Sequence, residues 1–265
     1  MRKIIVPLFL LMGFLAASSC TPKSALTNLF NGQNLDNWDK YLGSGYEGHE
    51  DLGAAATPEN VFSVVTEDGC QVIRISGEVK GSLATKGSFR DYHLRVVYKW
   101  GDKVTQQRNG GLLYHGYGDL GAALGTWMAS VECQMMHDNP GDTFFIGDNI
   151  ECCTRAGQVE KGYVYQPDAE KLPFGKRHNR RSIQKSQNAE KPVGEWNTID
   201  LYCLGQTAVH VVNGITVMVN QDLSVYSDQG LTPLSSGKIQ LQSEGGELFI
   251  KEISLETITA LPKDI

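Results

Sequence analysis

The chain lacks the signatures of several common enzyme classes. It contains no Gly-x-Ser-x-Gly elbow, no phosphate-binding loop of the GxxxxGK type and no His-Glu-x-x-His motif. These absences remove the best support for elbow-type acyl transfer, P-loop nucleotide chemistry and zinc proteolysis. An excess of positive charge is also missing, since 24 basic residues face 30 acidic ones and leave a net charge of -6. Without a basic field, nucleic acid is not an expected partner.

Long apolar runs are scarce. The clear example, residues 4–16, follows a short basic start and precedes small residues and Cys20. This order is typical of a bacterial lipoprotein signal peptide, in which the cysteine carries the lipid. Ordinary secretion, with Cys20 incidental, is the alternative. We therefore predict a signal peptide over residues 1–19, lipidation of Cys20, a tether over residues 20–28 and one β-sandwich domain over residues 29–265. The predicted location is the bacterial cell envelope, either periplasmic or at the outer membrane. The lipid would be the only contact with the membrane.

Cysteine is infrequent, and its pattern indicates neither a complete disulfide framework nor a zinc site. Of six cysteines, five remain when Cys20 is set aside, and an odd number cannot pair completely. Their spacing does not match a structural zinc motif. Most of them are therefore predicted to be small buried apolar groups.

Strand patterns dominate the chain, and no long segment has a helical period. The predicted strands are 61–65, 71–76, 92–100, 111–115, 130–135, 198–203, 208–212, 216–220, 238–243 and 247–255. Turn pairs such as Asp68-Gly69 and Asn213-Gly214 predict hairpins between them. We therefore predict an all-β, two-sheet antiparallel β-sandwich. Its long loops would be 41–57, 116–126 and 163–195, the last either a lid over a site or a solvated segment.

Alternation along two predicted strands produces rows of polar side chains. Glu132 and Gln134 share one face of their strand, and Gln240, Gln242 and Glu244 share one face of another. Amide and carboxylate rows suit a saccharide, whose hydroxyl groups need both donors and acceptors. The same pattern is also common on the solvated face of a sandwich.

Imidazole and further carboxyl groups lie near these rows in the sequence. His115 ends a strand that begins with two glycines, a position where the backbone bends or a ligand approaches closely. His137, Asp138 and Asp142 gather in a turn after Gln134. Such a turn is a candidate for acid/base chemistry or for a divalent cation such as Ca²⁺, although its spacing is not that of an EF-hand, and a solvated turn is the alternative.

Several motifs occur in an order that resembles a known family. They are residues 29–38 (LFNGQNLDNW), 109–114 (NGGLLY), 131–134 (VECQ), 194–197 (GEWN), 211–214 (VVNG), 237–245 (GKIQLQSEG) and 252–253 (EI). In this order they resemble the 3-keto-disaccharide hydrolase family over about residues 29–255. The resemblance implies a concanavalin A-like jelly roll with the sugar on a concave sheet. This sequence differs from the family pattern at His115, where arginine is often expected, and at Ser243-Glu244. The resemblance therefore does not identify the substrate.

The resemblance also implies a hydrolase that cleaves 3-keto-glycosides by elimination and hydration. A ketone at C3 acidifies the C2 proton, so that a base can remove it while the enolate oxygen is stabilised. Under this hypothesis Glu132 or His115 is the base, and Asp138 or Asp142 handles the leaving group or a cation. The candidate catalytic residues are therefore Glu132, His115 and Asp142. Among the candidate substrate-binding residues, Gln134 and Gln242 match positions of the family motifs, and Lys99 is chosen on strand parity alone and could equally be a surface lysine. The others are His137, Asp138 and Glu244. This hypothesis requires Glu132, Gln134 and Gln242 to share one open groove.

Two other functions fit the same residues. Glu132 and Glu244 would flank the bond in a two-carboxylate glycosidase acting on unoxidised glycans. A non-catalytic, glycan-binding surface lipoprotein is equally compatible with the fold.

Overall fold

The computed structural model describes residues 26–263 and is almost entirely β, with 58% of residues in strands and 5% in helices. The predicted signal peptide and Cys20 lie outside the described residues. The strands are β1 Thr27–Asn28, β2 Trp38–Leu42, β3 Phe62–Glu67, β4 Cys70–Ile75, β5 Gly81–Thr85, β6 Phe89–Arg90, β7 Tyr92–Asn109, β8 Gly111–Tyr117, β9 Ala129–Gln134, β10 Thr143–Ile146, β11 Ile150–Val159, β12 Gly162–Tyr165, β13 Lys171–Gly175, β14 Ser182–Ile183, β15 Asn197–Leu204, β16 Thr207–Val212, β17 Ile215–Ser227, β18 Gly230–Pro233 and β19 Ser236–Thr257. The helices are α1 Glu50–Ala55, α2 Pro58–Val61 and a 3-10 turn at Lys176–His178.

The strands form two antiparallel sheets that share one long strand. The front sheet has the order β2-β5-β19-β8-β9-β10-β14. The back sheet continues from β3 and β4 through the second half of β19 to β7, β15, β16, β17, β11 and β13. Strand β19 passes from one sheet to the other at Gly245 and Gly246, where its register shifts and Gly245 has a φ of 100°. The prediction of an all-β, two-sheet sandwich is confirmed.

Alternation along the front-sheet strands separates the core from the outer face of this sheet. Leu83, Leu112, Val131 and Leu241 are fully buried in the main apolar cluster between the sheets. Their strand neighbours of opposite parity, which include Glu132, point away from this cluster. The apolar and polar faces of β9 and β19 therefore lie as the sequence pattern predicts.

Two predicted hairpins form with the expected turn geometry. Asp68 and Gly69 have φ values of 49° and 74°, and they join β3 to β4. Asn213 and Gly214 have φ values of 49° and 82°, and they join β16 to β17. Two successive residues with positive φ are typical of a type I′ turn, which matches the twist of paired strands.

The segment 163–195 differs from the predicted long loop. It contributes to β12 and contains β13 and β14, and β14 pairs with β10 at the edge of the front sheet. Its proline and charged residues mask these short strands in the sequence. Among residues 26–263, the five cysteines are free, and Cys133, Cys152 and Cys203 are buried as predicted. Within the same range, no helix has the length and apolar character required to span a membrane.

Candidate functional site

The front sheet brings three predicted residues together on its face away from the core. Gly111 lies opposite Gln134 in the β8–β9 pair, and Gln242 pairs with Ser82 on β5. Glu132 lies opposite Leu113, one step further along the same face. Glu132, Gln134 and Gln242 are only 3%, 6% and 2% exposed. The three side chains therefore share one face, but they lie beneath its surface and do not line a single open groove.

Glu132 and Gln242 converge in the space above the backbone of Gly111. A Cβ placed on Gly111 would collide with the Oε1 atoms of both side chains, so a glycine is required at this position. Neither Oε1 atom has a hydrogen-bond partner among the described residues, and both are buried. Burial raises the pKa of Glu132 well above its usual range, and the carboxyl groups of Glu244 and Asp142 raise it further. Burial therefore favours the neutral, protonated form of the Glu132 carboxyl group.

A first cleft opens beside this pair, on the side of Glu244. Its volume is about 330 Å³, and its lining residues all carry polar groups: Tyr46, Lys80, Gln106, Gln107, Asn109 and Glu244. Burial raises the pKa of Glu244 to about 7, although the positive charge of Lys80 opposes the shift. A carboxyl group with this pKa exchanges protons readily at neutral pH, which is what a general base requires.

A second cleft opens on the opposite side of the pair, along β9 and β10. Its volume is about 390 Å³, and it is lined by Gln134, Met136, Asn139, Asp142, Phe144, Lys161, Ser182 and Gln184. Gln134 Oε1 accepts hydrogen bonds of 2.9 Å from the backbone N–H groups of Met135 and Met136. This pairing fixes the side chain and leaves its amide group at the cleft wall.

Asp142 is tied to the segment that follows β14. The backbone N–H of Lys185 donates to Asp142 Oδ1 at 2.8 Å, and Lys185 Nζ lies 3.5 Å from the same oxygen. Burial raises the pKa of Asp142, whereas these contacts with Lys185 partly offset the shift. Because Lys185 is also largely buried, the pair anchors this segment to the rim of the second cleft.

Gln240 has a structural role on the same face. Its Oε1 accepts from Ser82 Oγ at 2.9 Å and from the backbone N–H of Met128 at 3.0 Å. These bonds hold the loop before β9 against the front sheet. Next to Glu132, Leu113 packs with Ala123, Trp127 and Ile146 in a small apolar cluster.

The turn after β9 forms a cluster with a residue that the sequence did not single out. His137 Nδ1 lies 3.0 Å from Glu190 Oε2, and the backbone N–H of Asp138 donates to the same oxygen at 2.7 Å. Ligand atoms of His137, Asp138 and Glu190 lie within 4.8 Å of one another, so the group could hold a metal ion. One imidazole and two carboxylates suit a transition metal better than Ca²⁺, which prefers oxygen ligands alone.

His115 does not reach the site, which corrects the sequence expectation. A register shift between Tyr114 and Tyr117 places His115 at a φ of 55° and turns its side chain into the core. There its ring packs edge-on against Tyr92 and Tyr114. Burial lowers the pKa of His115 to about 4, and neither ring nitrogen has a hydrogen-bond partner among the described residues.

Lys99 also lies away from the site. It belongs to the outer face of the back sheet, where Nζ contacts Glu67 Oε1 at 2.6 Å and Asp68 Oδ2 at 2.8 Å. The ammonium group also lies 5.0 Å from the ring centre of Trp196. Strand parity correctly predicts that Lys99 points out of the core, but it cannot tell which sheet the strand joins.

The structure adds residues that sequence analysis missed. Tyr46, between β2 and β3, and Lys80, directly before β5, line the first cleft together with Glu244. Strand β5 was not predicted. The sequence of β5, Gly-Ser-Leu-Ala-Thr, is poor in the β-branched and aromatic residues that mark strands. Asn109 was noticed only as part of the Asn-Gly-Gly motif.

The antiparallel sandwich and its polar front face define a glycosyl hydrolase-like domain of the carbohydrate-active class. More particularly, the chain belongs to the family of the 3-keto-alpha-glucoside-1,2-lyase-like domain, whose model matches residues 25–256. The family resemblance inferred from the sequence motifs is thereby confirmed.

Two solved structures from Parabacteroides distasonis ATCC 8503, both described as candidate glycosyl hydrolases, share the fold. The first is 18% identical with a TM-score of 0.50, and the match covers 88% of this chain and 100% of the other. The second is 17% identical with a TM-score of 0.51 and covers 88% of this chain and 94% of the other. A search of curated protein sequences gave no match.

Proposed function

We propose that the protein is a carbohydrate-active enzyme that cleaves the glycosidic bond of 3-keto-glycosides by elimination followed by hydration. The main support is the arrangement of two carboxyl groups with different proton affinities on one sheet face. Glu244 lines a polar cleft with a pKa of about 7, and Glu132 beside it has a pKa well above its usual range. Two carboxyl groups whose environments separate their pKa values are typical of an acid and base pair.

In the first step, the Glu244 carboxylate removes the C2 proton of a 3-keto sugar bound in the first cleft. The electron pair of the C2–H bond moves to the C3 ketone and forms an enolate. The Lys80 ammonium group, which lines the same cleft, stabilises the negative oxygen. The enolate then collapses to restore the ketone and to form a C1–C2 double bond. The C1–O bond breaks, and its electron pair leaves on the departing oxygen.

Glu132 is 3% exposed and lines neither cleft, so the proposal requires its side chain to turn toward the first cleft when the sugar binds. Its protonated carboxyl group then gives a proton to the departing oxygen, and a neutral alcohol leaves. Water then adds to C1 while the ionised Glu132 accepts a proton from it. The Glu244 carboxyl group, which lines the first cleft and exchanges its proton with the solvent there, then protonates C2. Both carboxyl groups regain their starting states, and the net reaction is hydrolysis. The Oε1 atom of Gln242 lies beside that of Glu132 above Gly111, without a hydrogen bond between them.

The test compares purified protein with glycosides and with their 3-keto derivatives, and measures the released alcohol. Turnover of the 3-keto derivatives alone is the expected result. Glu132→Gln and Glu244→Gln should each abolish release while retaining saccharide binding. Glu160→Gln, a substitution at an exposed hairpin residue, serves as the matched control and should leave turnover unchanged.

The two alternative functions give different results in the same assay. Turnover of unoxidised glycosides would replace elimination by two-carboxylate glycosidase chemistry, since that mechanism needs no ketone. Saccharide binding without release from either substrate class would identify a glycan-binding protein.

We also propose that the domain is exported and held at the cell envelope by a lipid on Cys20. The order of basic, apolar and small residues before this cysteine supports the proposal.

A further inference from the structure

One end of the sandwich, called here the N-terminal end, contains the first described strand. Thr27 in β1 pairs with Leu255, close to the end of β19 and to the start of β7. Strand β6 pairs with the first residues of β19 and leads directly into β7, so the front sheet reaches the same end where β19 begins and β8 ends. From Gly111 to Tyr117, β8 spans about 20 Å. The first cleft lies beyond Gly111 and therefore at the opposite end.

Exposed hydrophobic side chains are concentrated at the N-terminal end. Of the eight large hydrophobic residues that are exposed among residues 26–263, four lie at this end, namely Leu26, Leu124, Tyr226 and Leu231. Tyr226 lies directly opposite Leu231 in the β17–β18 pair, and its backbone N–H donates to Asn149 O at 2.7 Å. Leu124 and Asn149 line a third cleft of about 340 Å³. Leu124, Tyr226 and Leu231 therefore gather around Asn149.

Leu124 occupies a position that normally suits a polar residue. It has a φ of 52°, and Gly125 after it has a φ of 72°. The turn is closed by the N–H of Thr126, which donates to Ala123 O at 3.1 Å. In such a type I′ turn the first central residue is usually Asn, Asp or Gly, and leucine is sterically unfavourable there. Because Leu124 is also 72% exposed, its side chain is suited to an apolar contact outside the domain.

Basic side chains border these hydrophobic residues. The Arg177 guanidinium lies 4.4 Å from the ring centre of Tyr226, and Arg181 lines the third cleft. The side chains of Lys176, Arg177 and Arg181 are 49%, 44% and 53% exposed, so they can still contact an anionic surface. Leucine, tyrosine and basic side chains together are typical of protein surfaces in the headgroup region of a bilayer. The carboxylates that the three basic groups contact are those of Asp148 and Glu151.

We propose that the N-terminal end docks on a phospholipid bilayer that contains anionic headgroups. The exposed hydrophobic side chains enter the headgroup region, and the bordering basic groups contact lipid phosphates. This inference rests on the proposed lipid on Cys20. Leu26 lies six residues after Cys20, and a chain of this length spans at most about 20 Å. The lipid thus brings this end to the bilayer, and the first cleft faces away from the membrane.

The experiment measures binding of residues 26–265, without lipid, to sedimented vesicles of phosphatidylethanolamine and phosphatidylglycerol. These residues contain both sheets and the apolar core, so the domain keeps its fold. Leu124→Asn should weaken binding about tenfold, because one leucine side chain no longer leaves water. Its melting temperature should not fall, since asparagine suits the turn. Lys176→Gln combined with Arg181→Gln should weaken binding to these vesicles about tenfold, but not to phosphatidylcholine vesicles.

Two control proteins carry matched changes elsewhere on the surface. Ile215→Asn alters a hydrophobic residue that is 40% exposed at the opposite end, and it should not change binding. Lys103→Gln combined with Lys251→Gln removes two exposed positive charges and should likewise bind as the wild type does. Equal binding by Leu124→Asn and the wild type, or no binding by either, would overturn the docking surface.

Triton X-114 partition of the intact protein tests the lipid separately. A wild-type protein in the aqueous phase would refute the lipid, whereas vesicle binding that depends on Leu124 would still support the docking surface. A wild-type protein in the detergent phase, with a domain that binds no vesicles, would support the lipid and refute the docking surface.

Discussion

Replacing Glu244 by glutamine should alter stability in a strongly pH-dependent way. The pKa of Glu244 rises from 4.5 to about 7 because folding buries the carboxyl group. In the unfolded chain this group loses its proton at a lower pH, so the folded state binds more protons between these two values. Stability of the wild type therefore falls as the pH rises from about 4.5 to 7, and a shift of this size corresponds to about 3 kcal/mol.

Glutamine has nearly the same shape as glutamate and cannot ionise, so Glu244→Gln removes this loss of folding stability at higher pH. We expect the variant to gain about 3 kcal/mol relative to the wild type between pH 4 and pH 8. Urea unfolding of both proteins at the two pH values measures the difference, and the contributions of other titrating groups cancel between them. A stability difference that is the same at both pH values would refute the assigned burial of the ionised carboxyl group.

The same pKa predicts the pH dependence of catalysis. If Glu244 is the base, kcat/KM should fall about tenfold per pH unit below pH 7, and reach about one hundredth of its plateau at pH 5. Glu160→Gln should reproduce the wild-type profile. A profile that stays flat down to pH 5 would show that another group, or none, removes the proton.

Three further predictions concern other parts of the molecule. Burial opposes protonation of His93, but hydrogen bonds to Asp200 and Glu256 outweigh this effect and raise its pKa. His93→Gln should therefore destabilise the protein most below pH 6.5, and the loss of stability should shrink as the pH rises through the folded-state pKa. Unfolding curves at pH 6 and pH 9 measure this difference. Mn²⁺ should raise the melting temperature of the wild type but not of His137→Ala, with a stabilisation of about 2.7 kcal/mol at a metal concentration 100 times the Kd; an equal response of both proteins would exclude the cluster. Cys20→Ala should move the expressed protein from the detergent phase to the aqueous phase in Triton X-114 partition, and unchanged partition would contradict lipidation.

Sequence periodicity predicted the features that depend on local alternation. The polar faces of β9 and β19 were correct because a strand with one buried face must alternate, and register then follows parity. The Asn213-Gly214 hairpin was correct because few residue pairs adopt two successive positive φ values. The fold class followed from these two signals together.

Sequence patterns could not predict the features that depend on long-range strand pairing. His115 has the parity of a site residue, but the shift in register after Tyr114 reverses its direction. Lys99 projects outward as expected, but its strand joins the back sheet. Lys80 and Glu190 approach the site region from segments distant in the chain, and no local pattern marks them. The pKa of Glu244 likewise depends on burial that only the folded chain creates.

The most direct test of the account follows the hydrogen at C2 during turnover. In D₂O, elimination and hydration should place one solvent deuterium at C2 of the released 3-keto sugar, detected by mass spectrometry or NMR at early times against a sample without enzyme. Release of the sugar with its original hydrogen at C2 would contradict proton abstraction by the front-sheet carboxyl pair.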